Sequence, residues 1–375
     1  MKLNTPILIF AYSFPHKKTF DFISLLASKG FSNLFVIGAP KIKLTKYSSA
    51  NNTLDLNFDV RALCSSLNIP FLECKHDDKK SIIKAKNHIG ANIAIISGAR
   101  ILKENIIELF SDGVVNFHPG KIPETSGLDS YFYTIKSKSS MGTTVHLIDK
   151  KVDAGRFIFF EKLRIDELDT FDTLREKLYL NQLNAFSRYL DLFFGNKVNY
   201  KEINRPKKNE PLTELDKEQI KSNFNSWHTY QIALQKDIEI NFFKFCETGN
   251  LNKIKKIISE NTYLINQKNI NGWSAIIIAA FWQHEEVVKY LLEIGANPND
   301  KGKKGTTVLM YAKTKLLETQ NPSLNILALL LSKGADVMAQ DVHGKDIFYY
   351  LDINTKSGKI IENFLKTKMN LLLLK

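Results

Sequence analysis

The segment G-V-V-N-F-H-P-G-K-I-P at Gly113–Pro123 places an amide and an imidazole two residues apart in an apolar run. Val114–Phe117 reads as a buried strand that Pro119-Gly120 stops, so Asn116 and His118 share one face. That face lies at the strand's C-terminal end, where open α/β sheets bind ligands. An amide supplies an uncharged N–H donor, and an imidazole titrates near neutrality. Such a pair is equipped to steady a developing oxyanion and to move a proton. An isolated Asn-x-His is better explained as a satisfied polar pair closing a loop.

The pair is not isolated. M-G-T-T-V-H-L-I-D-K-K-V-D-A-G-R-F-I follows at Met141–Ile158, and Val152–Gly155 forms a tight connection between two strands. Asp153 lies 35 residues after His118. N-F-H-P-G-K-I-P followed by G-T-T-V-H and V-D-A-G resembles the formyltetrahydrofolate-dependent formyltransferases, which include glycinamide ribonucleotide, methionyl-tRNA and sugar N-formyltransferases. The resemblance covers the first 200 residues in outline and is specific over Gly113–Ile158.

It implies N10-formyltetrahydrofolate as co-substrate, with no metal. An amine attacks the formyl carbon. Asn116 then faces the oxyanion, His118 moves the proton, and Asp153 orients the imidazole and stabilises its cation. His146 matches a family position near the site, and serves equally well as an ordinary strand histidine. I-I-S-G-A-R-I-L at Ile95–Leu102 matches the turn that holds the pterin through backbone groups, which assigns Ser97, Gly98, Ala99 and Arg100 to the folate. Small residues suit such close backbone approach. The loop Asp149–Asp153 lines the other side. The first loop, A-Y-S-F-P-H-K-K-T at Ala11–Thr19, lacks the G-x-G-x-x-G of a dinucleotide site. The chain also lacks the phosphate-loop pattern G-x-x-x-x-G-K-[ST] and any metal-ligand spacing of His, Cys, Asp and Glu.

The elements that must position these residues alternate along the first 160 positions. Ile7–Phe10, Leu34–Ile37, Phe71–Leu72, Ile93–Ile96 and Val114–Phe117 read as buried strands. Thr19–Lys29, Val60–Leu67, Ser81–Ile89 and Lys103–Phe110 read as the helices between them. Thr143–Ile148 and Arg156–Phe160 look like a late antiparallel addition. Phe171–Phe194 is a long helix that Asp169 or Thr170 caps and Gly195 ends. The expected architecture is an open, mainly parallel Rossmann-like α/β sheet over residues 1–195. A connector over 196–238 and an all-α ankyrin-repeat domain over 239–375 follow.

The last part rests on internal repetition. N-G-W-S-A-I-I-I-A-A at Asn271–Ala280 returns as K-G-T-T-V-L-M-Y-A-K at Lys304–Lys313, 33 residues on, and again from His343 after an insertion near Thr314–Pro322. That period resembles the ankyrin repeat, over roughly Ile240–Leu365. The family's T-P-L-H stretch reads S-A-I-I and T-V-L-M here. Loss of its histidine predicts atypically arranged hairpins. Protein binding is the default role of such repeats, a homodimer contact the second. A small-molecule pocket near Trp273, Phe281, Trp282 and Tyr311 is the third.

The chain has 375 residues, enough for two or three cores, and a formal net charge of +13. The lysines are spread rather than clustered, so solvated faces account for most of this charge. No apolar run is long enough to span a membrane. The apolar stretch Pro6–Tyr12 reads as a first strand rather than a signal peptide. Cys64, Cys74 and Cys246 fit neither a disulfide framework nor a zinc pattern, which points to a reducing cytoplasm.

Among acceptors, the resemblance disfavours tRNA, whose enzymes carry a C-terminal β-barrel where this chain is helical and repetitive; no nucleic-acid partner is expected. It favours a nucleotide-linked amino sugar, a dTDP-linked 3-amino- or 4-amino-dideoxyhexose feeding bacterial surface polysaccharide such as the O-antigen of lipopolysaccharide. Tyr131, Tyr133 and Trp227 are the candidate acceptor contacts, with burial in a helix or strand the plainer account of the tyrosines. A formyl-folate hydrolase and an ankyrin scaffold with a dead catalytic domain are the alternatives.

Overall fold

The computed structural model describes residues 3–41, 58–99, 101–149, 155–195, 198–203 and 209–373, with side chains to 369. The chain divides into two compact units, Met1–Thr229 and Tyr230–Lys375.

Among the described residues the first unit is built on eight strands: β1 (Ile7–Tyr12), β2 (Leu34–Ala39), β3 (Phe71–Glu73), β4 (Ile93–Ile96), β5 (Gly113–His118), β6 (Gly142–Leu147), β7 (Arg156–Lys162) and β8 (Lys201–Glu202). They form one sheet in the order β3-β2-β1-β4-β5-β6-β7-β8. From β3 to β5 every pairing is parallel, and from β5 to β8 every pairing is antiparallel. The helices are α1 (Lys17–Ser28), α2 (Val60–Ser66), α3 (Lys79–Ile89), α4 (Glu104–Ile107), α5 (Ser130–Lys136), α6 (Phe171–Phe194) and α7 (Glu214–Ser222).

Alternation along β1 decides the layers. Ile7, Ile9 and Ala11 face a core holding Phe22 of α1 and Phe186 of α6, whereas Leu8 and Phe10 face one holding Ile82 of α3 and Ile106 of α4. On β5, Val115 and Phe117 join the first core and Val114 joins the second. Asn116 and His118, two and four residues after Val114, therefore lie on the α3/α4 side. Phe117 is wedged edge-on against Phe22 at 5.3 Å and Phe186 at 5.2 Å.

The structure shortens one expected helix, decides one cap and fills in the connector. Helix α4 stops at Ile107, short of the expected Phe110: Leu109 and Phe110 donate to Ile106 and Ile107, tightening the chain so that Phe110 enters the core. Thr170, not Asp169, caps α6, through its bond to the Thr173 amide; Asp169 pairs with Lys177 at 2.6 Å. The stretch read as connector holds α7, capped by Thr213 over Asp216, and the start of α8 (Phe224–Glu247), within which the unit boundary falls.

The second unit continues with α9 (Leu251–Glu260), α10 (Ala275–Phe281), α11 (Glu285–Glu293), α12 (Val308–Leu316), α13 (Asn325–Ser332) and α14 (Lys356–Leu373). Ile276–Ile278, Val288, Leu291, Leu309 and Leu327 lie in its core. The hairpins are regular rather than atypical: Lys268 bridges Ser274 and Lys301 bridges Thr307, at equivalent positions of successive repeats. Lysines replace the missing histidine link. Lys268 Nζ donates to the Lys301 carbonyl at 2.5 Å, and Lys301 Nζ donates to that of Gln340 at 3.1 Å. Trp273 packs on Phe281 at 5.3 Å and on Tyr311 at 4.8 Å.

Thr307 Oγ1 accepts the Met310 amide at the start of α12, where the N-terminal N–H groups have no helical partner. Thr307→Ala should cost about 1 kcal/mol. Chemical denaturation of the full chain, monitored by tryptophan fluorescence, checks this, and an unchanged midpoint would count against the cap.

Candidate active site

Strand β5 runs past its neighbour. Pairing with β4 ends at Ile95↔Val115, whereas β6 accompanies β5 to its last residue, with Asn116 opposite His146 and His118 opposite Thr144. The two polar side chains thus stand on a strand end held from one side by the sheet.

Asn116 Nδ2 lies 3.2 Å from Nε2 of the fully buried His146. With the amide donating, that nitrogen accepts, and the neutral His146 ring carries its proton on Nδ1. The second Nδ2 hydrogen of Asn116 is not used by this bond. His118 is 5% exposed, and its Nε2 lies 2.9 Å from the Thr125 carbonyl and 3.3 Å from Thr125 Oγ1. Since a carbonyl only accepts, Nε2 carries the proton, and the basic lone pair of the neutral ring sits on Nδ1. Burial and these contacts to Thr125 orient the ring.

Thr125 is itself anchored, because Oγ1 donates to the Lys121 carbonyl at 3.0 Å. Thr144 pins the same loop to β6. Its Oγ1 donates to the Gly120 carbonyl at 2.6 Å and accepts the Ile122 amide at 3.2 Å. Neither threonine was singled out from the sequence, although Thr144 lies inside G-T-T-V-H. Its spacing two residues before His146 on one strand face is the local signal that could have found it.

Gly120 sits where a side chain would collide. A Cβ there would approach Thr125 Cβ to 2.8 Å and His118 Nε2 to 3.3 Å. Gly120→Ala should therefore displace Thr125 and tilt the imidazole, lowering kcat/KM by about 10²-fold. Steady-state kinetics beside a melting curve checks this; full activity would show that the loop yields without moving the ring.

The residues expected to hold folate have these surroundings. Ser97 is 1% exposed, and its Oγ donates to the Phe10 carbonyl at 3.0 Å while lying 3.0 Å from Thr19 Oγ1. Its side chain thus ties β4 to β1 and α1. Gly98 has the rings of Tyr12 and His16 against it; a Cβ would come within 2.8 Å of each. Ala99 packs on the α3/α4 core. Asp149 is exposed and borders a cavity of about 400 Å³, with Phe110, Gly113, Ile148 and Gly155 among the other walls. Gly113 opens β5 and His118 closes it, so this cavity lies at the other end of the strand from the imidazole. Asp153 and Arg100 lie outside the described residues.

The three aromatic acceptor candidates have these partners within the fold. Tyr131 is 9% exposed, and its hydroxyl donates to the Phe171 carbonyl at 2.5 Å; burial first, then nearby Asp172 and Asp169 against Arg175, raise its pKa. Tyr133 donates to the Glu210 carbonyl at 2.7 Å. Trp227 is 2% exposed, and its indole N–H donates to the Ser139 carbonyl at 3.3 Å. The structure does not bring these rings together with Asn116 and His118 through any of those bonds, and their polar atoms are committed to the fold.

Residues 45–190 match the family model described as formyl transferase, and residues 242–341 match that of ankyrin repeats, three copies. The chain thus carries a formyl transferase domain followed by ankyrin repeats. A methionyl-tRNA formyltransferase of Thermotoga sp. (strain RQ2) is 25% identical over 121 residues, covering 32% of this chain and 39% of that protein. A phosphoribosylglycinamide formyltransferase of Bacillus subtilis (strain 168) is 26% identical over 88 residues, covering 23% and 45%. The chain spans less than half the length of either relative. Among solved structures, a sugar N-formyltransferase from Shewanella sp FDAARGOS_354 aligns with a TM-score of 0.40 at 18% identity, over 58% of this chain and 87% of that one.

Proposed function

We propose that this chain transfers a formyl group from N10-formyltetrahydrofolate to the amine of a nucleotide-linked amino sugar. The observation that carries this reading is the pairing of an N–H donor, Asn116, with an oriented imidazole, His118, on one face of the β5 end. The acceptor nitrogen forms its bond to the formyl carbon as the carbonyl electron pair moves onto oxygen. Asn116 donates to that oxygen. His118 takes the amine proton on Nδ1, opposite the ring nitrogen that Thr125 occupies. When the electron pair returns, the carbon–nitrogen bond to the folate breaks and the departing nitrogen takes up a proton. Asp153 is assigned to support the imidazolium, and Ser97, Gly98, Ala99, Arg100 and Asp149 to the folate.

The acceptor is assigned as a dTDP-linked 3-amino- or 4-amino-dideoxyhexose, destined for O-antigen lipopolysaccharide. The ankyrin repeats that follow the catalytic domain support this over a tRNA acceptor. Formyl transfer to a panel of dTDP-amino sugars, with formate release followed in the same tubes, tests the reading. Acylation of one sugar supports it and names the acceptor. Formate without acylated sugar would replace transferase by hydrolase, and an untouched folate would leave a scaffold.

A further inference from the structure

Lys18 enters none of the roles above, yet it reaches the strand that carries them. It stands in the first turn of α1 and is half-buried. Its Nζ donates to the Phe117 carbonyl at 3.3 Å and lies 5.3 Å from the centroid of the Phe22 ring. Among the described residues no carboxylate pairs with it, in contrast to Lys17, which binds Asp21 at 2.6 Å. No acidic side chain occupies the first turn of α1, so the helix dipole opposes a cation there. A lysine held at this cost calls for a reason beyond surface charge.

The strand geometry supplies one. Residue 117 lies past the point where β4 stops pairing with β5, so no strand donor from β4 reaches it. Phe117 stands between Asn116 and His118, and its carbonyl belongs to the peptide that leads into His118. Its ring lies in the α1/α6 core, on the opposite side of the sheet from the two polar side chains. Lys18 approaches from that α1 side, so it acts on the imidazole through the backbone and does not reach the reacting atoms.

We propose that Lys18 is a positioning residue for formyl transfer: its ammonium supplies the hydrogen-bond donor that β4 no longer provides, and so holds the Phe117 peptide and the directions of Asn116 and His118. This rests on the formyl-transfer reading. Burial lowers the Lys18 pKa to about 8, consistent with a cation kept in an apolar setting. The neighbouring His16 ring is pushed down to about 4, by burial first and then by Lys18. It caps α1 as a neutral acceptor of the Thr19 amide.

The test compares Lys18→Met, which keeps the stem and loses the donor, with Lys18→Arg, which keeps a donor. Selective ¹⁵N-histidine spectra of the full chain, with the His118 signals assigned by their loss in His118→Asn, report the imidazole without any turnover. In Lys18→Met the His118 signals shift, kcat falls about tenfold to a hundredfold with KM within about twofold, and Tm does not fall. Lys18→Arg recovers both the signals and kcat. His118 signals unchanged in Lys18→Met would overturn the proposal, as would kcat and Tm falling together without rescue by Arg. If the wild type turns over no formyl folate, the formyl-transfer reading fails, and the histidine signals still decide whether Lys18 positions the ring.

Discussion

His118→Gln should lower kcat by about 10²–10⁴-fold with little change in stability. The argument is one of replacement. Glutamine's longer side chain carries an amide N–H to about where Nε2–H stood, so the bond to the Thr125 carbonyl has a donor to substitute for it. Volume falls modestly in a position that is 5% exposed. What disappears is the Nδ1 lone pair that accepts the proton. The loss should appear in kcat and kcat/KM together, because the proton moves only in the transition state. Single-turnover transfer measured alongside Tm is the check. A variant that retains transfer would sink the general-base role, and one that merely melts would say nothing about it, which is why both numbers are needed.

Asn116 should show the second largest effect, a loss of about 10²–10³-fold in kcat on removal of its N–H donor. Two variants separate donor from packing. Asn116→Ala also removes the 3.2 Å partner of the buried His146 Nε2, adding about 1–3 kcal/mol of instability for a polar atom left without that bond. Asn116→Asp keeps the shape, and its carboxylate accepts from the other tautomer of His146. The anion then repels the oxyanion that the amide would have held. Comparable kcat losses in the two, with a lower Tm for Ala only, match the proposed role. Activity in Asn116→Asp near that of wild type would show that no oxyanion gathers there.

Local chemistry made much of this legible. Short β-branched and apolar runs can only be buried strands when helix-period stretches separate them, so all five parallel strands and the antiparallel pair that follows occur where their patterns place them. The period of 33 marked the repeats for the same reason: each unit must bury its face on an identical neighbour. Asn116 and His118 were visible because a strand's two-residue period puts them on one face without reference to anything distant.

Tyr131, Tyr133 and Trp227 mark where this stops. An aromatic side chain reads alike whether it stacks on a ligand or packs on a helix, and only the folded chain brings up the carbonyls of Phe171, Glu210 and Ser139 that engage them. The hairpin links followed the same rule. The absent histidine was apparent, but not the lysines that take over its bonds one repeat away.

The sequence by itself determined the first five strands with the helices between them, the antiparallel pair, the shared face of the amide and imidazole, and the repeat. The tertiary structure alone decided that β5 outruns β4, that Thr125 sets which nitrogen of His118 is basic, that His146 meets Asn116 and that Lys18 reaches across 99 positions to the Phe117 carbonyl. Periodicity is a property of neighbouring residues. Hydrogen bonds between distant ones depend on strand order and stagger, which arise only when the layers pack.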